Sequence, residues 1–127
     1  MLKKFDPPGA PKPASPYSQG VLVPPNAQWL YISGQVGMTE DGRLGATFAE
    51  QVEIAYQNLM AVLKGGGMGP EDVVKLTIFM TPNTDLAVAR AVRAKYFSAP
   101  GPASTLVFVV DLVPGYLFEV EAVAAKV

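Results

Sequence analysis

With 127 residues, half of them hydrophobic, and a formal net charge of −1, the chain holds one domain's worth of material and enough apolar content for a core. It has no cysteine and no histidine, which excludes disulfides, thiolate catalysis and cysteine metal sites, and removes the commonest general base and neutral metal ligand. The near-neutral balance speaks against a nucleic-acid partner, because phosphate binding wants a clustered basic excess.

Residues 1–16 are rich in Pro and Gly and read as an extended arm. They contain no apolar run of signal-peptide length, and no apolar stretch of about 18 residues follows. A soluble, cytoplasmic protein without a membrane partner is the expectation. "QGVLV" (19–23) and "QWLYISG" (28–34) are strand-like and are separated by "PPNA", a spacing that predicts a hairpin. "GQVGMTEDGRLG" (34–45), with four glycines and a D-G pair, predicts a loop.

From Thr47 to Lys64 the period changes. Phe48, Val52, Ala55, Leu59 and Val62 fall at helical spacing, Thr47 and Glu50 fit a capping box, and "GGGMG" supplies the stop. "EDVVKLTIFM" (71–80) predicts a strand, and "TDLAVARAVRAKYF" (84–97) a second helix capped by Thr84 or Asp85. "STLVFVV" (104–110) and "YLFEVEAVA" (116–124) predict two more strands.

In the last strand Glu119 and Glu121 share one face, while Phe118, Val120 and Ala122 take the other. Two readings stand. Either this sheet face meets water, or one carboxylate lines a site.

The order β-β-α-β-α-β-β predicts an α+β fold, a mixed sheet with both helices on one face. The opposite face is then bare, and in a short chain the natural cover is another copy of itself. "GGGMG" follows a helix instead of opening one, so it reads as a stop and not a phosphate cradle. No acidic D-x-D-x-D-G loop for a metal occurs. Tyr17, in "PYSQG", either anchors the arm or meets a ligand with its hydroxyl. Gly34, in "ISGQVG", either lets a ligand approach the backbone or marks a plain strand exit.

Taken together, "SPYSQG", "YISGQVG", "FAEQVEIAYQNL", "GMGPEDVVKLTIFM", "PASTLVFVVDL" and "EVEAVA" resemble, in order and spacing, the reactive intermediate deaminase (Rid) family, also called YjgF or L-PSP. The resemblance implies a chorismate-mutase-like α+β domain, a homotrimer, and small-molecule clefts between subunits. It implies cofactor-independent hydrolysis of amino-acid-derived enamines and imines to 2-oxo acids and ammonia. Carried over by motif, Glu119 is the catalytic carboxylate that positions or activates water, and Tyr17, Ser33, Gly34, Arg90, Ser104 and Thr105 line the substrate site.

One position departs. Where deaminating members carry "P-A-R-S", this chain has "PAST", so Ser104 stands at the place of the arginine that holds a substrate carboxylate. A serine cannot clamp a carboxylate as a guanidinium does. Arg90, with Arg93 three residues on, either brings a cation from the second helix or is an ordinary solvated position. The functional readings are therefore a deaminase-type hydrolase or, because of Ser104, a non-catalytic trimer that binds a small ligand. A ribonuclease role, which the L-PSP label suggests, has neither histidine nor a basic patch to support it.

Overall fold

In a computed structural model, which describes residues 1–127, both helices start at a side-chain oxygen. Helix α1 runs Phe48–Gly65, and the Thr47 hydroxyl accepts from the Glu50 amide at 3.1 Å. The Glu50 carboxylate reaches back to the Ala46 N–H at 2.9 Å, a near neighbour of the expected capping box. At the other end the Gly66 N–H turns back to the Val62 and Leu63 carbonyls, and Gly67 takes φ 73°, where a side chain would be strained. Helix α2 runs Leu86–Arg93, with the Asp85 carboxylate accepting from the Ala87 amide at 2.9 Å. It is shorter than the expected 84–97. After Arg93 the amides of Lys95 and Tyr96 bond three residues back, tightening the chain out of the α-helix.

Six strands form: β1 Lys3–Phe5, β2 Gly20–Leu22, β3 Gln28–Val36, β4 Val73–Met80, β5 Ala103–Phe108 and β6 Phe118–Lys126. The main sheet has the order β3-β6-β4-β5, antiparallel except for the β4–β5 pair. That parallel pair is joined through α2, the crossover expected from the sequence.

The hairpin expected between residues 19–23 and 28–34 does not form. β2 pairs instead with β1, Lys3 opposite Leu22 and Phe5 opposite Gly20, in a separate two-stranded sheet. Pro24 and Pro25 have no N–H to lend a ladder, and Asn26 at φ 68° turns the chain away. The start of the arm is thus a strand. Its Phe5 ring fills the space over Gly20, where a Cβ would fall 2.6 Å from the ring.

Alternation divides the main sheet into two faces. Phe118, Val120, Ala122 and Ala124 of β6, with Val73, Leu76, Ile78 and Met80 of β4, are buried beneath Val52, Ala55, Tyr56, Leu59 and Leu63 of α1. Leu63 takes the core position where the sequence pattern pointed to Val62, which is exposed. The Tyr56 ring lies 5.6 Å from Phe118 and 5.7 Å from Tyr96, closing the core between the two helices. The other face has no helix. Tyr31 is 76% exposed there, Trp29 48% and Val107 38%. No helix is long and apolar enough to cross a membrane.

Candidate functional site

The carboxylates of β6 sit on the uncovered face, and β3 treats them differently. The β3–β6 register slips between Ile32 and Gln35, so Ser33 and Gly34 bulge out of the ladder. Past the bulge, Val36 stands opposite Glu119. The Glu119 carboxylate folds over Gly34 so closely that a Cβ there would overlap Oε2. Glu119 is half-buried in consequence, whereas Glu121, opposite Thr77, is exposed. Ser33 is exposed, and its carbonyl accepts from the Gln35 side-chain amide at 3.0 Å. The glycine and the bulge together leave a stretch of backbone onto which one carboxylate folds.

A second cluster surrounds Ser104. Leu76 stands opposite both Ser104 and Ala122, so Ser104 points to the helix-covered side, at the edge strand of the sheet. There the Arg93 guanidinium arrives from the last turn of α2. Its Nη1 donates to the Ser104 hydroxyl at 3.1 Å and its Nη2 to the Pro16 carbonyl at 3.4 Å. Arg93 is only 8% exposed, and the chain's ion pair, Lys95 with Glu53 at 2.9 Å, does not involve it. Burial holds its guanidinium below the usual arginine range, Tyr56 counters this, and the like charge of Arg90 adds to it. Tyr17 is half-buried beside it. Its segment is fixed by the Ser18 amide, which donates to the Pro102 carbonyl at 3.1 Å, and by Gly101, where any Cβ would overlap the Pro16 carbonyl.

The candidate residues therefore fall into two groups. Glu119, Ser33 and Gly34 gather on the bare side, and Thr105 shares that side, accepting from Lys75 Nζ at 2.8 Å. Ser104 and Tyr17 gather with Arg93 on the helix side. Arg90 is exposed and lines, with Arg93, Leu106, Ile78 and Tyr56, a narrow hollow beneath α2. Of the two arginines it is Arg93 that meets Ser104. The sequence signal for this was a serine at an expected arginine position and an arginine on the helix that follows the neighbouring strand. No three His, Cys, Asp or Glu side chains come together, so no donor set for a metal ion is formed.

The sequence model of the family described as Endoribonuclease L-PSP matches residues 8–126. The chain belongs to this family, which includes the Rid proteins. A RutC family protein of Aquifex aeolicus is 35% identical, covering 98% of this chain and 100% of its own. A human 2-iminobutanoate/2-iminopropanoate deaminase is 36% identical, over 92% of this chain and 85% of that one. Among solved structures, the Rid family protein YyfB of Yersinia pestis superposes with a TM-score of 0.85 at 28% identity, over 98% of both chains. The α+β architecture with a mixed sheet and two helices on one face is thus the Rid architecture, and deaminases occur among this Rid chain's relatives.

Proposed function

We propose that this protein is a cofactor-independent hydrolase of small 2-imino acids or their enamine tautomers, working in clefts between the subunits of a homotrimer. The observation that carries the reading is the Glu119 carboxylate held over the Gly34 backbone on the uncovered sheet face. A half-buried carboxylate with no cation beside it is costly unless solvated or used. The deaminase relatives supply the substrate class.

The chemistry needs only a base and a place for charge. Glu119 takes a proton from water as its oxygen adds to the imine carbon. With the imine nitrogen protonated, this addition moves the C=N electron pair to nitrogen and gives a neutral carbinolamine. Glu119 returns its proton to that nitrogen, then takes the hydroxyl proton as the C–N bond breaks, leaving a 2-oxo acid and ammonia. Backbone at the Ser33–Gly34 bulge has no register partner on β6, and this stretch would meet polar atoms of the substrate.

The division of the site supports an assembly of copies. Tyr17 and Ser104 belong to one side of the sheet and Glu119 to the other, so a cleft containing all three takes them from two copies. The exposed rings of Trp29 and Tyr31, 6.5 Å apart, are the apolar surface a neighbouring copy would cover. At ~25 cal/mol per Å2, an interface of ordinary size is decisive for a protein this small. The test is ammonia release from 2-iminopropanoate generated in situ. Release well above the spontaneous rate is expected. A protein that binds 2-oxobutanoate but leaves that rate unchanged is a ligand-binding trimer instead.

A further inference from the structure

We infer that Arg93 supplies this protein's anion anchor: its guanidinium, brought from α2 to the Ser104 hydroxyl, binds the carboxylate of a small 2-oxo or 2-imino acid. The inference rests on the hydrolase reading for the identity of the ligand, and on Arg93 alone for the place.

The first ground is charge. Arg93 is more than nine-tenths buried, and no carboxylate of its own chain lies within ion-pair distance. Its two neighbours are neutral oxygens, the Ser104 hydroxyl and the Pro16 carbonyl. A guanidinium removed from water is costly without an opposite charge, and a charged residue placed this deep normally has one. The charged side chain that bears on it, Arg90, has the wrong sign.

The second ground is geometry. Five N–H donors sit on the guanidinium, and the chain accepts from two of its nitrogens. Nε donates to no group of the chain. Two nitrogens of one planar fork thus position it, and the remaining donors are not taken up by the chain. A fork held this way suits a carboxylate, which accepts two parallel N–H groups. Ser104 is small enough to leave the space above β5 to the guanidinium and polar enough to fix it. The serine on the strand is the residue that holds the cation from the helix.

The third ground is the company Arg93 keeps. The Pro16 carbonyl ties it to the segment bearing Tyr17, so the cation and that hydroxyl are positioned together. Gly101 packs under that segment with no room for a side chain, which fixes the arm against β5.

A guanidinium that only pins the arm would not distinguish a charged ligand from a neutral one. The experiment is calorimetric titration with 2-oxobutanoate and with 2-oxobutanamide, on the parent protein, Arg93→Gln, Arg93→Lys and Lys95→Gln, alongside sedimentation. Arg93→Gln is expected to weaken 2-oxobutanoate binding by about 30-fold or more and to change the amide by less than about threefold. Arg93→Lys keeps the charge but loses the fork and should fall between. Lys95→Gln removes an exposed cation from the same region and should bind as the parent does.

Equal losses for acid and amide, or none for either, would overturn the assignment. So would a shift of Arg93→Gln to a smaller species, because the charge partner would then be a carboxylate of a neighbouring copy. If the parent binds 2-oxobutanoate but does not hydrolyse the imine, the anchor stands and the hydrolase reading fails. If Arg93→Gln hydrolyses at the parent's rate, the anchor fails alone.

Discussion

Glu119→Gln is expected to lower ammonia release from 2-iminopropanoate by about 100-fold or more, while Glu121→Gln leaves it within about twofold. The amide keeps the shape of the carboxylate and its place over Gly34 but cannot accept a proton from water. Glu121 makes an unusually close control. It lies two residues along the same strand, on the same face, with the same side chain. What differs is the opposing strand: Glu119 is folded onto the bulge glycine, and Glu121 projects from the ladder opposite Thr77. The measurement is a steady-state rate for each variant with the melting temperature recorded beside it. Equal effects from both substitutions would make the pair a solvated face and nothing more.

A second large effect is expected at Gly37, this time in stability. Gly37 is buried where the chain leaves β3 and passes under the first turn of α1, and a Cβ there would overlap the backbone of Gln51. Neither party can move. Gln51 is itself fixed, donating to the Gly45 and Gly115 carbonyls at 3.1 Å each and accepting from the Leu117 amide at 2.9 Å. Gly37→Ala should therefore cost about 3 kcal/mol and lower the melting temperature by about 10 °C, at fixed protein concentration. Gly34→Ala is the instructive comparison. Its clash is with the far end of the Glu119 side chain, which can swing away. Stability should change by less than about 1 kcal/mol while hydrolysis falls, because the carboxylate no longer lies over the bulge. Melting curves that drop equally for both variants would contradict this division of roles.

What could be read from the residues was mostly what repeats locally. The helical spacing through Val52, Ala55 and Leu59, the Thr47 cap and the alternation of β6 are each set by neighbours a few positions apart, and each appears in the structure. Pairing between distant strands was not so available. Nothing in "QGVLV" says that its partner is Lys3–Phe5 across the proline-rich arm, because a ladder is chosen by which edges meet, and local sequence does not encode that. The site divides the same way. Glu119 and Gly34 were legible as motif positions, but that the glycine exists to admit that glutamate depends on a register slip between two strands far apart in the chain. Arg93 is the clearest case. From the helix alone, Arg90 and Arg93 are equivalent candidates three residues apart, and only the packing of α2 over the sheet edge buries one and exposes the other.

A composite cleft would take its cation from one copy and its carboxylate from the next. Mixing of two crippled variants tests it most directly. Glu119→Gln and Arg93→Gln proteins, each nearly inactive, would be combined in equal amounts, dissociated in mild denaturant and allowed to reassociate before the rate of ammonia release is measured. If Arg93 and Glu119 meet across an interface, random reassociation leaves about a quarter of the clefts with both native residues, and about a quarter of the parent's activity should return. A mixture no more active than the two variants apart would place both residues in the same chain's site and contradict the account.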